Sequence, residues 1–145
     1  MTRPASFVDG DVAALRLVVL RLARRLRKHS GTQVSPSQFS ALTVLERHGS
    51  LRLGDLARRE QISKSSGTRL VANLEAKGLV QRVGDETDGR ITYVELTPGG
   101  RKHLAEATQR ATSYLRRQLD MLSPSDRSTL LAALPALERM LVTKP

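Results

Sequence analysis

The chain has 145 residues, enough for one compact domain with a hydrophobic core. Apolar residues make up 39% of it and aromatic ones only 3%, so the core must be built from Leu, Val, Ile and Ala, which favours helix-on-helix packing and a mainly α fold. The absence of cysteine excludes disulfides, thiolate zinc sites and thiol-based redox sensing, and the net charge of +10 suits phosphate backbones and acidic membrane surfaces alike.

Residues 1–6 lack a basic segment followed by an apolar stretch, so no secretory leader is read there. The longest aliphatic run nearby, Leu17-Val18-Val19-Leu20, is far shorter than a membrane span, which takes about 20 residues. A cytoplasmic protein with no membrane partner is the expectation. Over residues 11–29, Val12, Leu15, Val18 or Val19, Leu22 and Leu26 recur at helical spacing. Arg24, Arg25, Arg27, Lys28 and His29 crowd the end of that helix, where cations suit its dipole, and Gly31 closes it.

Ser35-Pro36-Ser37-Gln38 sets a capping hydroxyl before a proline at the first helical position, with Gln three residues after the cap. This predicts a short helix from Pro36 to His48 that buries Phe39, Leu42 and Leu45. Leu51-Arg52-Leu53 allows a minimal strand. A small helix is expected over 54–60, a turn at Ile62-Ser63, and a longer helix over 64–77 stopped by Gly78.

After Gly78 the periodicity changes. Residues 79–83 and 91–96 are β-rich and flank the polar stretch Gly84-Asp85-Glu86-Thr87-Asp88-Gly89, which reads as a β-hairpin. From Pro98 the pattern is helical again, in two pieces separated at Leu122-Ser123-Pro124. Thr97-Pro98 and Ser123-Pro124 repeat the capping device. Pro135 falls inside the last piece and predicts a kink or break near Leu134, bending an apolar stripe of Leu130, Leu134, Leu137 and Leu141.

Short helix, turn, longer helix and hairpin is the order of a winged helix-turn-helix, whose second helix fits the DNA major groove. At about 100° per residue, Gly67, Leu70, Val71 and Leu74 share one side of the longer helix. Ser65, Thr68, Arg69 and Ala72 lie opposite, flanked by Lys64 and Ser66. Small hydroxylated and basic residues near a helix N-terminus can approach base edges and phosphates, and they suit an ordinary solvated face equally. Ser63 reads as an N-cap, and Gly67 as a point of close packing against the preceding helix. Arg90 in Asp88-Gly89-Arg90 sets a guanidinium near the hairpin tip, where it could enter a narrow minor groove or remain a solvated loop residue paired with Asp88 or Glu86.

Charge does not locate the DNA-reading unit. Residues 10–29 carry six basic and one acidic side chain, whereas residues 52–90 carry eight basic and six acidic ones.

Leu53-Gly54-Asp55-Leu56-Ala57, Ile62-Ser63 through Thr68-Arg69-Leu70-Val71, and Leu74-Glu75-Ala76-Lys77-Gly78-Leu79-Val80-Gln81-Arg82 resemble the helix-turn-helix and first wing strand of the MarR family. Asp88-Gly89-Arg90 and Leu96-Thr97-Pro98-Gly99-Gly100 resemble its D-x-R wing and the L-T-x-x-G that opens the next helix. The motif-bearing likeness covers residues 34–104. It implies a single winged-helix domain over 1–145, with a DNA-binding part at 34–97 and dimerisation helices at 10–30 and 98–145. It further implies a homodimer on a pseudo-palindromic site in double-stranded DNA, acting as a repressor and released by a small-molecule effector. Carried over by position, Lys64, Ser65, Ser66, Thr68 and Arg69 are groove and phosphate candidates. Arg90 is the wing-tip contact with Asp88 orienting it, and Arg82 touches phosphate or braces the wing. Gly67 stands where the family usually has a larger apolar residue, and Gly89 where a second Arg is frequent.

Other functions find less support. His29, His48 and His103 form no metal-spaced pair, and no phosphate-cradling loop or nucleophile motif accompanies them, so no enzyme, metal or cofactor is expected. The basic run over 21–29 could bind membrane or RNA nonspecifically. A winged helix could also serve protein contacts alone. Nothing in the sequence marks an effector pocket.

Overall fold

A computed structural model describes residues 6–142 of the chain. Residues 1–5 and 143–145, which take in most of the segment read for a leader and the end of the predicted C-terminal dimerisation segment, lie outside them. The element order is α1 (Asp9–Ser30), α2 (Pro36–His48), β1 (Leu51–Arg52), α3 (Leu53–Arg59), α4 (Lys64–Ala76), β2 (Val80–Gly84), β3 (Thr92–Leu96), α5 (Pro98–Asp120) and α6 (Pro124–Val142). The chain divides into two compact units, residues 30–110 and residues 1–29 with 111–145.

In the first unit, local chemistry sets each boundary. The Ser35 hydroxyl accepts from the backbone N–H of Gln38 while the Gln38 side chain accepts from the Ser35 N–H, a complete capping box. α3 and α4 end alike: Ile62 N–H donates to Ala57 O and Gln61 N–H to Arg58 O, then Leu79 N–H to Leu74 O and Gly78 N–H to Glu75 O. Both are Schellman closures, which need a left-handed residue after the helix. Gly78 supplies φ 71° without strain, whereas Gln61 adopts φ 56° despite its Cβ.

The three strands form one antiparallel sheet in the order β1-β3-β2, with Val80 opposite Leu96, Arg82 opposite Val94 and Leu51 opposite Val94 on the other side. Alternation along β3 puts Val94 and Leu96 inward. They join Ala41, Leu42 and Leu45 of α2, Leu56 of α3, Leu70, Val71 and Leu74 of α4, and Leu104 of α5 in one aliphatic core. Phe39, expected inside, is half-buried at its margin. Gly100 is fixed by close approach: a Cβ there would run into the carbonyl oxygen of Leu79.

The second unit comprises α1, the end of α5, and α6. His29 and Tyr114 stack with ring centroids 3.8 Å apart and planes 6° from parallel. Most of its aliphatic side chains face solvent in the single chain: Val18 is 62% exposed, Leu22 40%, Leu134 50% and Leu141 88%. Of the kink or break predicted near Leu134, the break does not occur: α6 runs unbroken through Pro135. Proline withholds a donor from the carbonyl four residues earlier. Here that carbonyl belongs to Leu131, a residue exposed in the single chain.

Candidate nucleic-acid interface

The turn between α3 and α4 and the cap at Ser63 determine how α4 is presented. Ser63 is extended (φ −65°, ψ 157°), and its Oγ accepts from the Ser66 N–H at 3.2 Å. The same Oγ lies 3.1 Å from Ser65 Oγ and 3.0 Å from Ser66 Oγ, so three hydroxyls cluster on the first turn. Thr68 donates its hydroxyl back to Lys64 O at 3.0 Å.

Gly67, Leu70, Val71 and Leu74 of α4 are buried, and Lys64, Ser65, Ser66, Thr68, Arg69 and Ala72 are exposed. A Cβ at Gly67 would sit 3.0 Å from the Ala57 Cβ, so glycine here lets α4 approach α3 closely. A shallow cleft beside the exposed face is lined by Ser35 and Gln38 from the start of α2 and by Ser66, Arg69, Leu70 and Asn73 from α4. Arg69 therefore sits among polar neutral groups with no carboxylate lining the cleft. Lys77 reaches back to the start of α2 and the segment before it, donating to Gln38 Oε1 at 3.5 Å and to Gln33 O at 3.3 Å.

The wing loop is ordered by two carboxylates in succession. Asp85 accepts from Thr87 N–H at 2.8 Å and Thr87 Oγ1 at 2.9 Å, and Asp88 accepts from Arg90 N–H at 3.0 Å. Each is a side chain bonding the backbone two residues on, the usual use of Asp in turns. The Thr87 donors hold the Asp85 carboxyl below its ordinary range. Tyr93 of β3 donates its hydroxyl to Asp85 at 3.4 Å, and the Arg52 guanidinium of β1 lies 5.9 Å from the Tyr93 ring centroid. Deeper in the sheet, Glu95 accepts from Gln81 at 2.7 Å and Ser50 at 2.9 Å, clamping β3 to both its neighbours and lowering the Glu95 pKa.

Arg90 is paired with Asp88 at 3.5 Å, yet its side chain remains 95% exposed. Arg82 does not project in the same way. Its Nε lies 3.3 Å from Glu75 of α4, so of the two roles open to it the geometry favours bracing the wing. α4 thus brings Lys64, Ser65, Ser66, Thr68 and Arg69 onto one surface, and the wing presents Arg90 on Asp88 at its tip. Sequence reasoning missed Asp85, Tyr93 and Arg52 as supports of the wing. The D-x-T and D-x-R spacings were the available signal for the two turns. The packing of Arg52 on Tyr93 depends on the β1–β3 pairing and left none.

Comparison with known proteins bears on the family and the fold. The family model of the MarR family matches residues 32–91. The HTH-type transcriptional regulator MT0903.1 of Mycobacterium tuberculosis is 36% identical over 127 residues, covering 86% of this chain and 89% of the relative. The structure of a MarR family protein from Bacillus stearothermophilus superposes with a TM-score of 0.78 at 26% identity, over 95% of this chain and all of that one. A point mutant of S. aureus MepR, solved bound to an oligodeoxyribonucleotide, gives a TM-score of 0.71 at 22% identity over 94% of this chain and 99% of that one, a likeness of fold.

Proposed function

Because this chain belongs to the MarR family of DNA-binding transcription regulators, we propose that it acts as a homodimeric repressor on a pseudo-palindromic operator. The observation that carries the dimer is the solvent exposure of Val12, Val18, Val19 and Leu22 on α1 and of Leu130, Leu134 and Leu137 on α6. Apolar surface on this scale in one unit marks an association site. A second copy offers the same surface under twofold symmetry, as a self-complementary interface requires. Residues 10–30 and 98–145 serve dimerisation in this reading, and residues 34–97 read DNA.

Each α4 enters a major groove. Lys64, Ser65 and Ser66 meet phosphate and groove edges at its N-terminus, while Thr68 and Arg69 face the bases. Each wing lays Arg90, held by Asp88, along the adjacent minor groove, with Arg82 as its brace on Glu75. Bound across a promoter, the dimer excludes polymerase, and an effector that changes the spacing of the two reading heads releases it. The protein works in the cytoplasm, where its DNA is, and it has no enzymatic role. Among the described residues no helix is long and apolar enough to cross a membrane.

The Leu22→Asp variant tests the dimer reading. A charge buried in an apolar interface is strongly unfavourable, so sedimentation should report monomer and specific DNA binding should be lost together. A Leu22→Asp protein that stays dimeric contradicts the assignment of α1 to the interface.

A further inference from the structure

The positive charge of this protein is not concentrated where it reads DNA. Residues 30–110 hold twelve basic and nine acidic side chains, whereas residues 1–29 with 111–145 hold twelve basic and five acidic, giving them +7 of the total +10. In residues 30–110 many of the bases have acids beside them: Arg58 pairs with Asp55, Arg82 with Glu75, Arg90 with Asp88, and Lys102 and Arg110 both with Glu106.

On α1 the excess is arranged on one face. Arg21, Arg24 and Lys28 follow one another at spacings of three and four, all exposed, with Arg25 at their edge. At about 100° per residue this strip lies on the side of the helix away from Leu15, Val19, Leu22 and Leu26. It is therefore left uncovered when the apolar side is buried. The acids of the same helix, Asp9 and Asp11, are ten or more residues before Arg21, about 15 Å along the axis. Like charges this close repel one another unless an anion lies against them.

A second copy of the chain brings no net negative charge to this strip, because twofold association doubles the +7 of the unit. We propose that Arg21, Arg24 and Lys28 of α1 form a second, sequence-independent phosphate-binding face for duplex DNA, separate from the α4 and wing contacts. The proposal rests on the DNA-binding reading above, since the polyanion that this protein meets at high local concentration is the duplex that carries its site. Such a face adds salt-sensitive affinity equally on all sequences and holds the dimer near DNA between specific encounters.

The test uses the full-length chain with Arg21→Gln, Arg24→Gln and Lys28→Gln combined, titrated against a random-sequence duplex of about 60 base pairs across a salt series. Each phosphate contact contributes about 0.9 to the slope of log K against log salt. The triple variant should lower that slope by about 2 or more per protomer and weaken binding about tenfold or more at low salt. The Arg24→Gln, Lys28→Gln double variant should show a smaller loss of the same kind. Sedimentation and the thermal midpoint should stay unchanged, and operator and random DNA should weaken by the same factor. A triple variant with unaltered slope and affinity overturns the proposal. If Arg69→Ala still abolishes specificity in that case, the operator reading stands without the second face. Loss of binding to phosphatidylglycerol vesicles with an unaltered DNA slope overturns it in favour of a membrane surface.

Discussion

The Arg82 Nε lies 3.3 Å from Glu75 Oε2, so the first wing strand is tethered to the last turn of α4. Both side chains are about two-fifths exposed, which limits the pair to about 0.2–1 kcal/mol. Its consequence is geometric: the wing and α4 are held as one piece. If Arg82 is a brace, Glu75→Gln and Arg82→Ala should each weaken DNA binding a little, and the double variant no further. A salt slope lowered by about 0.9 in Arg82→Ala, with Glu75→Gln unaffected, would reassign Arg82 to phosphate.

Arg90→Ala should lower the salt slope by about 0.9 per wing that engages. Asp88→Asn keeps an acceptor for the Arg90 N–H but removes the charge that orients the guanidinium, so the expected loss is smaller. Unchanged affinity in Arg90→Ala on both specific and random duplex discards the wing contact.

Arg69→Ala should cost about 1–3 kcal/mol on the specific site and little on random DNA, as expected of a base-reading side chain. Equal losses on both demote Arg69 to a phosphate contact.

Two backbone positions make opposite predictions. Gly100→Ala sets a Cβ against the Leu79 carbonyl, so β2 or the start of α5 must shift. Overpacking of this kind costs about 1–3 kcal/mol or more, read as a lowered thermal midpoint. Gln61→Gly relieves a side-chain residue held at φ 56° and should raise the midpoint by up to about 1 kcal/mol of stability. A destabilised Gln61→Gly protein would mean that the Gln61 side chain contributes more than its backbone conformation costs.

The Asp85 carboxyl has its folded pKa lowered, chiefly by the Thr87 N–H and hydroxyl. A depressed folded pKa contributes stability above the unfolded value, about 3.9, and that contribution is lost as the pH falls through the lower folded value. Urea midpoints measured from about pH 6 downward should therefore decline less steeply below about pH 4 in Asp85→Asn than in the wild type. Parallel curves would show that the turn does not depend on the charge.

Much of this architecture is legible in the sequence because the local chemistry and the fold agree. Ser35-Pro36 and Ser63 mark helix starts that the hydrogen bonds reproduce. Gly78 marks a helix end, and the small residue at Gly67 marks the contact with Ala57. The face of α4 follows from period alone. At Pro135 the helix does not break, because proline's cost depends on whether the freed carbonyl finds another donor, which no local pattern states. The wing supports were missed for a related reason. Tyr93 reads as an ordinary strand residue until the β1–β3 pairing brings Arg52 onto its ring.

The most direct test of the account compares binding to the DNA upstream of the protein's own gene with binding to random duplex of equal length, across a salt series. Sequence-specific recognition by a dimer predicts one dimer per site and a ratio above about 10³, removed by Arg69→Ala. If duplexes selected from random sequence for tightest binding to this protein also give a ratio near one, the claim that it reads sequence is contradicted.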